Sequence, residues 1–349
     1  MGYLASGAGK MKVSNLMKNL KRGNLLKNLK RYLFYREPDK WKKEYRLYIL
    51  LLIIAVIEFL FCFISDDLWW IRILIVCNLY ALYSASWDLL GGVCGQVSLG
   101  HALFFGGAGY ISALLNFHYG LPILIGILIS CVVLTAFAFF LGLPLSRLKG
   151  PYFVLVTMVI PLIIISIITL FPLQLGGEGG ISGFNLLAGG DIKAAFYIVL
   201  VVTLISVVII LFIAKSNLGL IIQTIREDER GAKSMGINTA KYKAITFSLS
   251  ALFAALAGAL YTLFMGTIGP TFLLPINSVY PIIMTIIGGI GTTLGPLIGA
   301  YIIMILDQYL QTVPALRIVI YSVVTILILR FAPSGLMGLV SRFRKGRTA

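Results

Sequence analysis

Ionisable side chains are scarce in this sequence: 12% of the 349 residues are Asp, Glu, Lys or Arg, only 13 are acidic, and there are two histidines. With 59% hydrophobic residues and a mean hydropathy of +0.96, the chain carries far more apolar sequence than a soluble core needs, which excludes water-soluble classes. The four cysteines, Cys62, Cys77, Cys94 and Cys131, lie in or beside apolar segments without CxxC spacing. Neither a disulfide framework nor a thiolate metal site is indicated, and they read as small buried hydrophobes. No Ser/His/Asp or Cys/His set can be gathered at one depth, and no His and carboxylate ligands pair for a metal, which argues against a membrane enzyme. A short basic segment leading into an apolar one is missing, so no cleavable signal is expected. Gly7-Ala8-Gly9-Lys10-Met11 approaches a phosphate loop but has Leu4 where the first glycine belongs and Met11 in place of Ser or Thr. The chain has no ATPase of its own on this reading, so ATP coupling would have to come from a partner.

Charge is concentrated at the ends and in one loop. Residues 1–46 hold thirteen Lys or Arg against Glu37, Asp39 and Glu44, and Arg342, Arg344, Lys345 and Arg347 close the chain. The positive-inside tendency places both termini on the cytoplasmic side of the plasma membrane, accounts for the basic arm without nucleic acid, and gives it affinity for anionic lipids. Its alternation of basic with apolar residues over 16–34 permits an amphipathic helix on the inner leaflet. Three regions follow: a basic arm (1–46), a transmembrane domain (47–340) and a basic tail (341–349). Apolar runs at 47–64, 71–90, 102–117, 121–143, 152–171, 194–214, 244–265 and 316–331 read as spans. Residues 279–306 are interrupted by Gly288-Gly289-Ile290-Gly291 and Pro296; a broken hairpin there keeps the C-terminus inside. The expected fold is all-α and polytopic, about eight transmembrane helices plus one re-entrant Gly-rich segment. Gly291, Gly295 and Gly299 repeat every fourth position, as on a helix face that another helix approaches closely.

Polar features inside this apolar chain mark the candidate sites. Residues 91–101 are too glycine-rich to remain helical, and irregular backbone at membrane depth belongs against protein or a wet cavity. Gly95, Gln96, Ser98, Gly100 and His101, with Gly288 and Gly289 at the other break, are the candidate translocation pathway. His101 reads as a hydrogen-bonded packing residue more readily than as a proton relay. Glu58, inside the first span, must face protein, either as a structural hydrogen-bond partner or as a functional acid. The loop with Gly176, Gly177, Gly179, Gly180, Gly183, Gly189 and Gly190 is an external binding surface or lid, or a plain connector. Residues 215–243 are the one long polar insertion between two spans, with nine charges in 29 positions. Their first half suits a short amphipathic helix that Gly236 stops, and Asn238 or Thr239 can cap the next. This loop either transmits force to another protein or is simply solvated.

Five blocks in order resemble the LivM-type permeases of branched-chain amino acid ABC importers, over roughly residues 80–338. They are Trp87-Asp88-Leu89-Leu90 with Gly95-Gln96-Val97-Ser98-Leu99-Gly100-His101; Leu148-Lys149-Gly150-Pro151-Tyr152-Phe153; Gly176-Gly177-Glu178-Gly179-Gly180-Ile181; Ile225-Arg226-Glu227-Asp228-Glu229 with Met235-Gly236-Ile237-Asn238 and Tyr242-Lys243; and residues Ile287 to Pro296. The resemblance implies that residues 215–243 couple to a cytoplasmic ATPase through Ile221, Ile225, Arg226, Glu227, Asp228, Glu229, Met235 and Gly236. The general importer pattern, Glu-Ala-Ala, three residues, then Gly, is matched by Ala232 and Gly236 but has Arg230 and Gly231 in its first two places. Thr246-Phe247-Ser248-Leu249 stands where Ile-x-Leu-Pro would follow. The N-terminal arm is longer than the family leads one to expect.

The resemblance further implies a transport subunit rather than an enzyme. Two ATPase subunits holding ATP and Mg, a homologous second permease and an external solute-binding protein would complete the importer, and the chain itself would carry no cofactor. Leucine, isoleucine and valine are the implied solutes, with urea or short amides as the alternative within the family. The alternative class is an ion-coupled secondary transporter, for which only Glu58, Asp88 and Asp307 are available as intramembrane acids.

Overall fold

The computed structural model describes residues 38–148, 150–310, 314–331 and 335–338; the arm before residue 38, Lys149 and the tail 341–349 lie outside the described residues. The elements are α1 (Pro38–Ile64), α2 (Leu68–Asp88), α3 (His101–Tyr119), α4 (Ile123–Leu145), α5 (Pro151–Leu170), α6 (Ile192–Lys215), α7 (Asn217–Glu227), α8 (Glu229–Ser234), α9 (Thr239–Met265), α10 (Ile276–Gly288), α11 (Gly295–Tyr309) and α12 (Pro314–Phe331). One two-stranded ribbon joins β1 (Ile181–Ser182) to β2 (Thr267–Ile268), antiparallel, with Ile181 opposite Ile268. It ties the 176–190 loop to the α9–α10 connection. Helices dominate because a backbone in hydrocarbon must satisfy its polar groups within its own segment.

Among the described residues, five helices are long and apolar enough to cross a membrane: Leu68–Val93, Ile123–Leu145, Pro151–Leu170, Ile192–Lys215 and Thr239–Met265. The apolar part of α1 is the shorter Leu51–Ile64, and Ile276–Gly288 is the first limb of the expected hairpin. At 1.5 Å per residue the 13-residue α10 and 15-residue α11 reach roughly 20 and 22 Å, less than the ~30 Å of hydrocarbon that a full span crosses.

α2 is the axis of the bundle. It packs against α6, α9, α10 and α11, and α9 in turn covers α3 and α4. Lipid tails are as apolar as the side chains, so close packing holds such helices together more than exclusion of water does. A Cβ at Gly258 of α9 would stand 1.9 Å from the Phe105 carbonyl oxygen of α3. The expected small-residue stripe works within the chain: Cβ atoms at Gly295 and Gly299 would meet the backbone of α10, at Gly288 and Met284. Gly291 is not on that face, because it lies in the turn before α11. Glu58 is buried and faces protein as expected, accepting from Asn78 Nδ2 at 2.8 Å and from the Tyr301 hydroxyl. α5 lies at the edge, with Leu155, Val159 and Ile163 at least half exposed.

Candidate functional site where the polar loop meets two broken segments

α2 does not end cleanly. Its last turn widens into a π-helical turn over Leu89–Val93, and the chain then runs irregularly to His101. Side chains hold this stretch where helical bonds are missing: Trp87 Nε1 donates to the Ser98 carbonyl at 2.9 Å, and Ser98 Oγ accepts from Gly100 N at 3.1 Å. Gly100 is pressed so closely on α5 that a Cβ would lie 2.4 Å from the Thr157 carbonyl oxygen. Gly95 has φ +77°, a conformation that an L side chain adopts at a cost of roughly 1–2 kcal/mol.

The tip of the α10–α11 hairpin reaches the same place. Asp88, the last residue of α2 and fully buried, accepts from Gly291 N at 2.7 Å and from Thr293 N at 3.1 Å. Gly291 has φ +75°. The polar loop completes the meeting: Arg226, near the end of α7, donates to the Gly92 carbonyl. The positions of Cβ atoms at Gly95 and Gly291 would fall 2.8 Å from Arg226 Cγ and 3.1 Å from Arg226 Nη1. The Arg226 side chain thus runs between the irregular segment after α2 and the hairpin tip.

The loop is two helices, not one. Asp228 leaves helical geometry and caps α8 by accepting from Arg230 N at 3.0 Å, while Ser216 caps α7 and Asn238 caps α9. Gly236, with φ +81°, follows the end of α8 as expected. Glu229 pairs with Lys233 at 2.8 Å and with Lys243, on the first turns of α9, at 2.7 Å. Burial pushes the Glu229 carboxyl up, but the two ammonium groups outweigh it and hold it down at about 2.

The expected docking residues divide. Glu227, Asp228 and Gly236 are exposed, and so are Arg226 and Met235 in part, whereas Ile221 is half-buried. Ile225 is 3% exposed and corrects the expectation that it faces a partner: it turns into the bundle beside Ile222, which packs with Leu89, Val93 and Cys94. Leu220, 53% exposed, is the apolar residue that α7 presents outward. Of the expected pathway residues, Gly95 and Gln96 line a cavity of about 320 Å³, together with Ile225, Arg226 and Lys243. Ser98, Gly100, His101 and Gly288 are buried in packing, and Gly289 sits against Gly335.

His101 belongs to a buried polar layer. Ser250 Oγ lies 2.6 Å from the Ser86 carbonyl and 2.7 Å from His101 Nε2. A carbonyl can only accept, so the single hydroxyl proton goes to Ser86 and the imidazole donates through Nε2. One helix over, Ser278 Oγ accepts from Ala102 N at 2.8 Å. Beyond this layer, toward the end of the bundle that carries the 176–190 loop, a second cavity of about 320 Å³ is lined by Tyr80, Tyr83, Tyr261 and Tyr280. Sequence reading missed both Asp88 as the hairpin's anchor and this cavity. The quoted Trp87-Asp88 block was a signal for the first; the tyrosines, from three separate segments, gave none.

Comparison with known proteins agrees with the resemblance. A family described as "Branched-chain amino acid transport system / permease component" matches residues 70–329. The high-affinity branched-chain amino acid transport system permease proteins LivM of Salmonella typhimurium and Escherichia coli are each 23% identical over 287 residues, covering 74% of this chain and 68% of theirs. A probable branched-chain amino acid transport permease protein LivM of Methanocaldococcus jannaschii is 26% identical over 251 residues, covering 65% of this chain and 73% of its own. No solved structure matches.

Proposed function

The chain belongs to the family of permease components of branched-chain amino acid transport systems, and we propose that it is one membrane subunit of an ATP-driven importer, with residues 215–243 as its coupling element. As a member of that family it is a multi-pass membrane transport subunit. The finer reading adds two ATPase subunits that hold ATP and Mg, a second homologous permease and an external solute-binding protein. Both termini and the coupling loop are then cytoplasmic, and the 176–190 loop is external.

One observation carries this reading: Arg226 of the loop bonds the Gly92 carbonyl beside the hairpin tip that Asp88 holds. A push on α7 has a direct mechanical path to both places where the membrane helices are broken. Coupling requires the loop to interact differently with two states of its partner, since equal binding to both shifts nothing. On this reading the buried, hydrogen-bonded layer of Ser86, His101, Ser250 and Ser278 is the closed part of the passage. The face offered to the ATPase is Leu220, Glu227, Asp228 and Met235, not Ile225.

The test is gentle-detergent purification of the chain from its native membrane, with co-purifying subunits identified by mass. Two ATPase-type proteins and a second permease support the importer. Recovery of the chain alone, or as a homo-oligomer without an ATPase, would sink it.

A further inference from the structure

We propose that the tyrosine-lined cavity and the cavity beside it form one vestibule for an α-amino acid, with Asp307 facing the ammonium group and Arg72 the carboxylate. This rests on the importer reading and adds to it the groups that meet the solute. The first cavity, about 320 Å³, is bounded by Tyr80, Tyr83, Tyr261 and Tyr280 and contains Asp307 in its wall. The second, about 430 Å³, has Arg72 in its wall and residues Leu187 and Gly190 of the glycine-rich loop at its side. Ile73, Val76, Met265 and Gln308 line both, so the two spaces adjoin across shared side chains.

The chemistry of the walls matches the three parts of such a solute. Tyr80 stands with its ring centroid 5.7 Å from that of Tyr261 and 6.2 Å from those of Tyr83 and Tyr280, so aromatic faces and edges surround the space that Asp307 borders. Carboxylate and ring faces both attract an ammonium group. The Tyr321 hydroxyl donates to Asp307 Oδ1 and holds the carboxylate in the cavity wall. Arg72 supplies the planar donor fork that suits a carboxylate, and among the described residues no acidic side chain forms an ion pair with it. Ile73 and Val76, on the wall common to both cavities, give a branched aliphatic side chain an apolar surface. Taken together, the two volumes lie within the range of small-molecule pockets, roughly 300–1,000 Å³, and leave room for a solute of amino-acid size. A neutral amide would need neither charge.

The experiment is uptake of radiolabelled leucine into vesicles containing the complete importer and its solute-binding protein, comparing wild type with Asp307→Asn, Arg72→Gln and Tyr321→Phe. Asp307→Asn and Arg72→Gln each lower the initial rate by about tenfold or more, equivalent to roughly 1.4 kcal/mol, while Tyr321→Phe, which keeps the carboxylate but loses the hydroxyl that holds it, lowers the rate less than Asp307→Asn does. Wild-type rates in both charge variants would overturn the vestibule. So would a fall in Tyr321→Phe as deep as in Asp307→Asn, since Asp307 would then be only a packing anchor. A wild-type complex that moves urea but no branched-chain amino acid instead defeats the importer reading for these solutes. If a charge variant fails to assemble, alkylation of Thr271→Cys in the cavity wall decides, against a background of four buried native cysteines. Leucine slows labelling if the vestibule binds it, and unchanged labelling overturns the proposal.

Discussion

Asp88 and Gly291 are 203 positions apart in sequence and 2.7 Å apart in space, carboxylate oxygen to amide nitrogen. The second oxygen of Asp88 holds Thr293 N, so one side chain closes the tip of the hairpin onto the end of α2. Replacing Asp88 with Asn sets an amide NH2 against one of two backbone donors. The buried donor left unpaired costs about 1–3 kcal/mol. Asp88→Asn is expected to lower the thermal midpoint of the purified chain and to slow uptake, and Asp88→Ala to do both more severely. An unaltered midpoint in Asp88→Ala would show that the hairpin tip is held by something else.

Arg226, Gly95 and Gly100 separate coupling from folding. Arg226→Ala removes the bond to the Gly92 carbonyl from a side chain at the protein surface, so assembly survives while transport falls well below wild type. Gly95→Ala imposes a strained φ and crowds Arg226 Cγ, a flexible neighbour, and is expected to impair transport with assembly retained. Gly100→Ala is different: its Cβ meets backbone at Thr157, which cannot swing away, so the expected outcome is poor folding and low yield. Equal yields of the two glycine variants would contradict this contrast. Yield, subunit association and uptake, measured on the same preparations, distinguish the three.

The helices and their caps were legible because they are local. Apolar run length located α2, α4, α5, α6 and α9, Asn238 capped α9, and Gly236 followed α8, all within a few residues of expectation. The break at Asp228 was not legible, because Glu-Asp-Glu-Arg reads equally as a polar helix face or as a cap followed by a new helix. Ile225 was assigned the wrong side for a related reason. Amphipathic periodicity says which residues share a face, and the fold decides whether that face meets the bundle or a partner. Glycine runs marked where helices break, but not that one buried aspartate and one arginine join the two breaks. Those contacts span more than 130 positions, and no local pattern encodes them.

Glu229 makes the loop sensitive to acid. Its carboxyl titrates at about 2 in the folded protein against an ordinary 4.5, so its ion pairs contribute stability in full above pH 4.5. That contribution declines as pH falls from 4.5 toward 2. The side chain is 30% exposed, so added salt weakens the effect. Hydrogen exchange of the α8 amides is expected to rise between pH 5 and pH 3 beyond the intrinsic change, and Glu229→Gln is expected to abolish that excess. An identical excess in the variant would assign the acid sensitivity to another group.

The outward and inward faces of α7 and α8 give the sharpest test of the coupling assignment. Leu220 on α7 and Met235 just after α8 are 53% and 40% exposed and apolar, whereas Ile222 and Ile225 are buried. A pair of aspartates at Leu220 and Met235 adds charge to a surface already in water, so the isolated chain should fold as wild type. Docking, which would have to desolvate those charges, should weaken, and losing about 1.5–3 kcal/mol for each fully buried apolar side chain predicts more than tenfold looser ATPase association. Ile222→Asp reverses the pattern: a carboxylate enters the packed cluster of Leu89, Val93 and Cys94, and the chain itself is destabilised before any partner is met. Subunit pull-down and thermal unfolding, run on both variants, read the two faces independently. Wild-type uptake and association in Leu220→Asp/Met235→Asp would remove this surface from the coupling mechanism, leaving Arg226 and its neighbours with a purely structural part.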